Sequence, residues 1–401
     1  MTPWIIMAIG LGLVFYAIKE LDDKQFIYKK NATGNYVFKT RAGSELRTEI
    51  KRQREIKGDN VNYQQALLEV TGKYSVIPRK YNTINTMTRY FSNQFMSVED
   101  FLNIQSAEAL LSDCPGDGKV ITLFSFVGIK QEQVKKHVLD LGETRLVVVC
   151  PKKGIKAQKQ LKDYEIIREL RANSSFTSNN EILKKELPLL VEDLTTELEQ
   201  IISEVYDEDA DTRVLYFDGE KVKNAKAGNE ELAVNECCNI TYTRTPIINN
   251  EMVNRSAIGT AQTRKARLNI IQALLSHSDT PDFYEGSNQE ATVYRSLFTV
   301  TKINTDEAHK DIVNVLDEMN LFVDSCSDTK VSMKELVTKL SMPPYGMRAG
   351  VIPIYFAYVL ANRREDIIVY FADKEIQLTA DIVVNMCEQA EDFAIYVSKE
   401  D

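Results

Sequence analysis

Apolar and polar positions follow several periods along this chain, and each period predicts an element. In Val331–Leu340 (VSMKELVTKL) the apolar residues recur at helical spacing. Pro343 and Pro344 fix φ and push the residue before them into extended backbone, so a helix there must stop. Gly346 and Gly350 allow a tight re-entry. Val351–Leu360 is almost wholly apolar and fits a buried helix of about three turns. Pro353 falls in its first turn, where a missing N–H costs little. Asp366–Phe371 and Glu375–Leu378 read as strands around an Ala372-Asp373-Lys374 turn.

The middle third changes period. Lys119–Val127 and Arg145–Cys150 are strand-like runs, and Lys130–Leu139 between them reads as a helix. That is a βαβ unit with a buried parallel sheet. Pro151 and Gly154 close its second strand. Helices are predicted over Ile155–Leu170 and Ser178–Tyr206, the latter interrupted at Pro188, and a strand over Val214–Phe217. Asp207, Glu208, Asp209 and Asp211 read as a solvated loop. Leu268–Leu275, Glu290–Phe298 and Glu307–Leu321 read as further helices. Upstream, Phe26–Tyr28 and Tyr36–Phe38 form a hairpin, and Ala42–Lys57 is a charged helix with a solvated face. Phe91–Ile104 reads as a helix, with Ser97 as N-cap and Asp100 following.

The expected fold class is α/β followed by mostly α, in four segments. These are a mostly helical 1–110, an α/β region 111–240 resembling an incomplete ATPase core, a helical 241–325 and a winged-helix-like 326–401. Trp4–Ile18 is apolar and uncharged, yet shorter than the roughly 20 residues of a spanning helix, and no basic region precedes it. A buried core helix is expected there and no membrane, with peripheral membrane attachment the alternative. Such a helix at a terminus needs something to pack on, so the chain is expected to be a piece of a longer protein.

Composition narrows the class. In 401 residues, apolar content of 44% and charged content of 27% are ordinary for folded protein. A net charge of -9 argues against a whole-surface nucleic-acid binder and leaves room for local basic patches. Cys114, Cys150, Cys237, Cys238, Cys326 and Cys387 show no C-x-x-C spacing and read as reduced thiols of a cytoplasmic protein.

Candidate chemistry is sparse. Gly72–Phe91 interleaves Lys73, Arg79, Lys80 and Arg89 with Tyr74, Tyr81, Tyr90 and Phe91. Cations beside aromatic faces suit single-stranded nucleic acid; half-buried tyrosines with a cationic fringe are the simpler alternative. Thr245–Arg267 holds Asn249, Asn250, Glu251 and Asn254, a polar cluster of the kind that joins elements by hydrogen bonds. Arg255, Arg264, Lys265 and Arg267 follow as the densest basic patch near a helix start, which can hold phosphate oxygens or pack internally. No complete phosphate cradle exists. Gly116-Asp117-Gly118-Lys119 comes nearest to a Walker A loop, but Asp113 and Val120 break the pattern and the loop precedes a strand. Gly10-Leu11-Gly12 lacks its third glycine, since Phe15 stands there. Val214–Asp218 ends an apolar run in an acid, as a Walker B strand does, although Gly219 makes a strand-ending turn the simpler reading. His137, His277 and His309 lie far apart, so no catalytic or metal-ligating set is assigned.

Three stretches, in order, resemble segments of the large multidomain P-loop ATPases of bacterial phage-exclusion (BREX) and related defence loci. They are Val147–Leu170, Thr245–Arg255 and Pro343–Ile354. The most specific element is PPYG-x-R-x-G-x-x-P, with Pro343, Pro344, Tyr345, Gly346, Arg348, Gly350 and Pro353 all in place. The resemblance covers roughly residues 100–400 and lies after the Walker A loop. It implies a non-catalytic segment or subunit that binds DNA, other defence proteins or a missing N-terminal ATPase portion. Arg348, a cation of the Val331–Phe371 stretch, joins the anion-binding candidates. No cofactor is expected. ATP and magnesium enter only in the alternative, a degenerate P-loop hydrolase in which Asp218 holds the metal and Lys119 the phosphate.

Overall fold

Val147, Val148 and Val149 are each wholly buried, because helices cover both faces of the sheet they belong to. The protein is seen here in a computed structural model. The residues it describes are 14, 16–19, 27–29, 36–38, 41–177, 181–206, 213–216, 230–276, 281–303, 305–327, 329–361, 363 and 366–398. Most of Trp4–Ile18, the acidic run after Tyr206, Asp218 and His277 lie outside these residues. Two compact units form: Met1–Val76 with Phe91–Ala233, and Ile77–Tyr90 with Val234–Asp401.

The first unit begins with strands β1 (Ile27–Lys29) and β2 (Tyr36–Phe38), paired antiparallel as the sequence predicts. Helix α1 (Arg41–Lys57) buries Leu46 and Ile50, exposes Arg47, Lys51, Arg52 and Glu55, and pairs the part-buried Arg54 with Asp163 and Lys57 with Glu169. Asn62 caps α2 (Tyr63–Thr71) by accepting from the Gln65 amide. Between strand β3 (Ser75–Val76) and β4 (Phe91–Ser97) the chain runs through α3 (Arg79–Asn85), which belongs to the second unit. The short helices α4 (Val98–Leu102) and α5 (Ala107–Leu111) lead to β5 (Gly118–Phe124). Helix α6 (Gln131–Leu141), β6 (Leu146–Pro151), α7 (Gln158–Ala172), α8 (Glu181–Tyr206) and β7 (Arg213–Tyr216) complete the sheet and its cover.

The sheet order is β3-β4-β5-β6-β7, with β4, β5 and β6 parallel and both edge strands antiparallel. Phe101, Leu110, Val134 and Val138 pack on one face against Ile121, Leu123 and Val148. On the other, the Tyr206 hydroxyl donates to the Leu123 carbonyl at 2.7 Å. Two expectations need correction. Phe91–Ser97 is a strand and the helix begins only at Val98, with Ser97 as its cap as predicted. Phe91 and Phe95 are spaced i, i+4, which fits one helix face and one strand face equally. Helix α8 also runs through Pro188 unbroken: buried Leu183 and Leu187 hold that turn although one N–H is missing.

The second unit takes in most of α9 (Glu230–Thr241), then α10 (Ala261–Leu275), α11 (Gln289–Tyr294) and α12 (Lys310–Ser325). Strand β8 (Val331–Ser332), α13 (Met333–Ser341), α14 (Ile352–Ala361), β9 (Ile367–Phe371), β10 (Lys374–Ile376), α15 (Ala380–Glu388) and β11 (Phe393–Val397) follow. One continuous core runs from Ile248 to Val397, so segments 241–325 and 326–401 share a unit. Likewise β4, from the segment ending at 110, pairs along its whole length with β5.

Helix α14 is buried on every side except at Tyr358, as its composition requires. The predicted hairpin is β9–β10, closed by Ala372 and Asp373, both with positive φ as a two-residue hairpin loop demands. Strand β11 lies between β9 and β8 in an antiparallel sheet ordered β10-β9-β11-β8. The molecule is thus mixed α/β, with a two-stranded, a mixed five-stranded and an antiparallel four-stranded sheet among the described residues.

None of the six cysteines forms a disulfide. Burial pushes the Cys150 and Cys387 thiols up to about 12 and that of Cys326 to about 11. A thiol reagent at pH 8 should therefore label partly exposed Cys114 and leave these three untouched until the chain unfolds. Mass spectrometry of labelled peptides checks this.

Candidate anion-binding site

The residues of the proline-tyrosine-glycine motif meet inside the second unit, around one buried cation. Arg89 is fully buried. Its guanidinium carbon lies 3.6 Å from the centroid of the Tyr242 ring. Its Nη2 donates to the Gly346 carbonyl at 2.9 Å and to the Thr245 hydroxyl at 3.1 Å. The Thr245 hydroxyl in turn donates to the Tyr345 carbonyl at 2.5 Å. Gly346 has φ +56°, and a Cβ there would come within 2.5 Å of both Arg89 Nη2 and the Tyr242 ring. Any side chain is excluded on both counts.

Neighbouring residues fasten the same loop. The peptide between Pro343 and Pro344 is cis, and the Pro344 carbonyl accepts from the Arg244 amide at 3.0 Å. The Tyr345 hydroxyl donates to Glu318 at 2.9 Å, and Lys339 pairs with the same carboxylate. The hydrogen bond from Lys339, helped by that from Tyr345 and opposed by burial, holds Glu318 below the usual glutamate range. Arg348 donates to the Thr88 carbonyl.

Gly350 then brings the loop against the chain before α10. Its amide donates to the Arg255 carbonyl at 3.1 Å, and a Cβ would stand 2.2 Å from the Val253 carbonyl. This close approach makes one wall of a pocket of about 330 Å³, lined by Ser256, Ala257, Ile258, Arg264, Arg267, Ala349, Gly350 and Glu388. Thr260 caps α10, whose Arg264 and Arg267 project one turn apart. Arg264 Nε donates to the Ile258 carbonyl at 3.1 Å, and no acceptor meets its other nitrogens among the described residues. Arg267 is only 4% exposed. Its Nη2 bonds Glu388 at 2.6 Å, while its buried Nε has no hydrogen-bond partner among the described residues. The pocket holds two guanidinium groups against one carboxylate, so it favours an anion.

The other basic candidates divide. Lys265 is exposed, and Arg255, at 56% side-chain exposure, reaches only Glu251 at 3.9 Å. Arg79 and Lys80 are exposed at the start of α3, whereas Lys73 belongs to the first unit. The predicted aromatic–cationic surface over 72–91 is partly an interior: Arg89 and Tyr81 are buried, with Tyr81 accepting no solvent role but bonding through its amide to Asn235 at 2.8 Å. Asn250 Nδ2 donates to the Ser296 hydroxyl at 3.3 Å, and Asn254 Nδ2 to the Thr86 and Ile248 carbonyls at 3.1 and 3.3 Å. Both asparagines tie loops together. Glu251 is 79% exposed.

In the first unit, the carboxyl ends of β4 and β5 open on a cavity of about 750 Å³ that the sequence reading missed. Asn60, Asn62, Gln64, Ser97, Glu99, Asp100, Ser125 and Gln158 supply its polar groups, and no lysine or arginine lines it. Phosphates bind outside the carboxyl ends of parallel strands. Lys119 stands at the opposite, amino end of β5, bonded to Gln94 at 3.4 Å. Strand β7 runs antiparallel to β6, whereas a Walker B strand runs parallel to its neighbours, so Val214–Tyr216 does not serve as one. A second cavity, of about 630 Å³, includes Lys73 and the buried ion pair of Arg213 with Glu230.

Gly346→Ala should cost at least about 2 kcal/mol in urea unfolding, since it adds strain and a clash. The Glu318 pair adds a pH signature. A depressed carboxyl contributes stability that is complete above its ordinary value of 4.5 and is lost as pH falls through the folded value. Glu318→Gln should therefore flatten the acid side of the stability profile below that point, as followed by melting temperature against pH. Comparison of the chain with protein-family models, with curated proteins and with solved structures finds no match.

Proposed function

We propose that the chain is a non-catalytic, macromolecule-binding segment of a defence-type P-loop ATPase, engaging DNA or a partner protein through its second unit. The observation that carries this reading is a division of charge. The place in the first unit where a nucleotide's phosphates would sit holds Glu99 and Asp100 and no cation. In the second unit, arginines gather in a pocket made by the motif loop. The ordered motifs support the likeness to phage-exclusion ATPases, and the helix–turn–helix–hairpin order of α13, α14, β9 and β10 supports a winged-helix-like end. With α14 buried, that end favours contact through loops and outer helices over a helix laid in a groove.

The degenerate-hydrolase alternative has weaker support, since Lys119 lies at the wrong end of its strand. Purified chain should release no phosphate from ATP or GTP above a buffer blank. Steady turnover would overturn the proposal. If DNA is the partner, log affinity should fall with log salt at a slope of about −0.9 per neutralised phosphate on duplex. Arg264→Gln should lower that slope by about one. Binding that is indifferent to salt points to a protein partner.

A further inference from the structure

We infer that the pocket beside α10 is a receptor for a single phosphate monoester group, gripped by Arg264 and Arg267 in exchange for the Glu388 carboxylate. This rests on the macromolecule-binding reading for its natural source, but the chemistry of the pocket stands by itself.

Three features point the same way. The first is the unfinished coordination of Arg267. A buried guanidinium N–H without an acceptor is costly, and natural folds rarely leave one. Arg267 Nε is such a group, buried on a residue that lines the pocket. The second is Glu388. It accepts from Arg267 Nη2 alone, and it sits at the last residue of α15 with 48% of its side chain exposed. A carboxylate on an arginine edge is the arrangement that a phosphoryl group replaces, oxygen for oxygen. The third is Arg264. Its Nε bond to the Ile258 carbonyl fixes the side chain along the rim, leaving its terminal nitrogens available. Ser256 lines the same pocket.

Charge and shape select the monoester over the diester. Replacing one carboxylate by one diester phosphate changes nothing in the balance, because each carries a single negative charge. A monoester carries about −1.5 to −2 at pH 7 and can answer both arginines. The volume of about 330 Å³ is at the small end for ligand sites. A terminal phosphate, tethered by one bond, enters such a recess. An internal phosphate must bring sugar on both sides. The ligand class is thus a terminal phosphate, borne by a nucleic-acid 5′ end or by a free nucleotide.

The test is calorimetric titration of the full chain with inorganic phosphate, AMP, and one single-stranded oligonucleotide in 5′-phosphorylated and 5′-hydroxyl forms. Phosphate should bind saturably, with Kd of about 1 mM or tighter. Arg264→Gln, on an exposed side chain, should weaken it about tenfold or more. Glu388→Gln should tighten it by about threefold or more, because the competing charge is gone. A purely structural Arg267–Glu388 pair predicts no such gain. Unfolding midpoints of both variants confirm that they fold. No saturable phosphate binding, or binding that neither variant alters, overturns the proposal. Equal binding of the two oligonucleotides, equally weakened by Arg264→Gln, also overturns it while leaving the nucleic-acid reading intact. Binding of phosphate and AMP but of neither oligonucleotide supports the pocket and assigns it to free nucleotide, and the nucleic-acid reading then fails.

Discussion

A single buried cation organises the second unit. Arg89 cannot shed its proton, so its charge must be met where it lies. The Tyr242 ring, the Gly346 carbonyl and the Thr245 hydroxyl meet it. These contacts tie together two stretches of chain, 242–245 and the Pro343–Gly350 loop, and define the path of that loop. Removing one partner from such an arrangement leaves the guanidinium with an unmet need, which is why the loop has little freedom to vary. The glycines of the motif are then spaces kept open for other atoms: Gly346 for the Arg89 and Tyr242 side chains, Gly350 for the carbonyl of Val253.

The anion pocket inherits its shape from that loop. Without the close backbone approach at Gly350, the wall formed by Ala349 and Gly350 would stand away from Ser256–Ile258. The pocket is therefore a consequence of packing, and its charge is a separate matter decided by α10 and the end of α15. This separation explains how a chain with net charge -9 can present a local cationic recess.

Much of the fold was legible because its strongest signals are local. The valine-rich β6, the wholly apolar α14 and the double proline before it each carry their meaning within a few residues. Where signals were ambiguous or distant, the reading failed. Phe91 and Phe95 fit two periods at once, and only pairing with β5 decides for a strand. Arg89 reads as a surface cation until its partners, more than 150 residues away, are known. Arg264 and Arg267 were visible as a basic pair, but Glu388 was not. It lies 121 residues from Arg267, in a helix end that carries no mark of its own.

The excursion of residues 77–90 has a further consequence. Those residues leave β3, supply Arg89 and α3 to the second unit, and return as β4. The chain thus crosses from one unit to the other three times, at Val76, Tyr90 and Ala233. A contiguous piece from 234 onwards lacks its own central guanidinium, and a piece ending at 233 carries a stray helix with no home. Neither half is a portable cassette: in any splice, duplication or expression of parts, the two must travel as one.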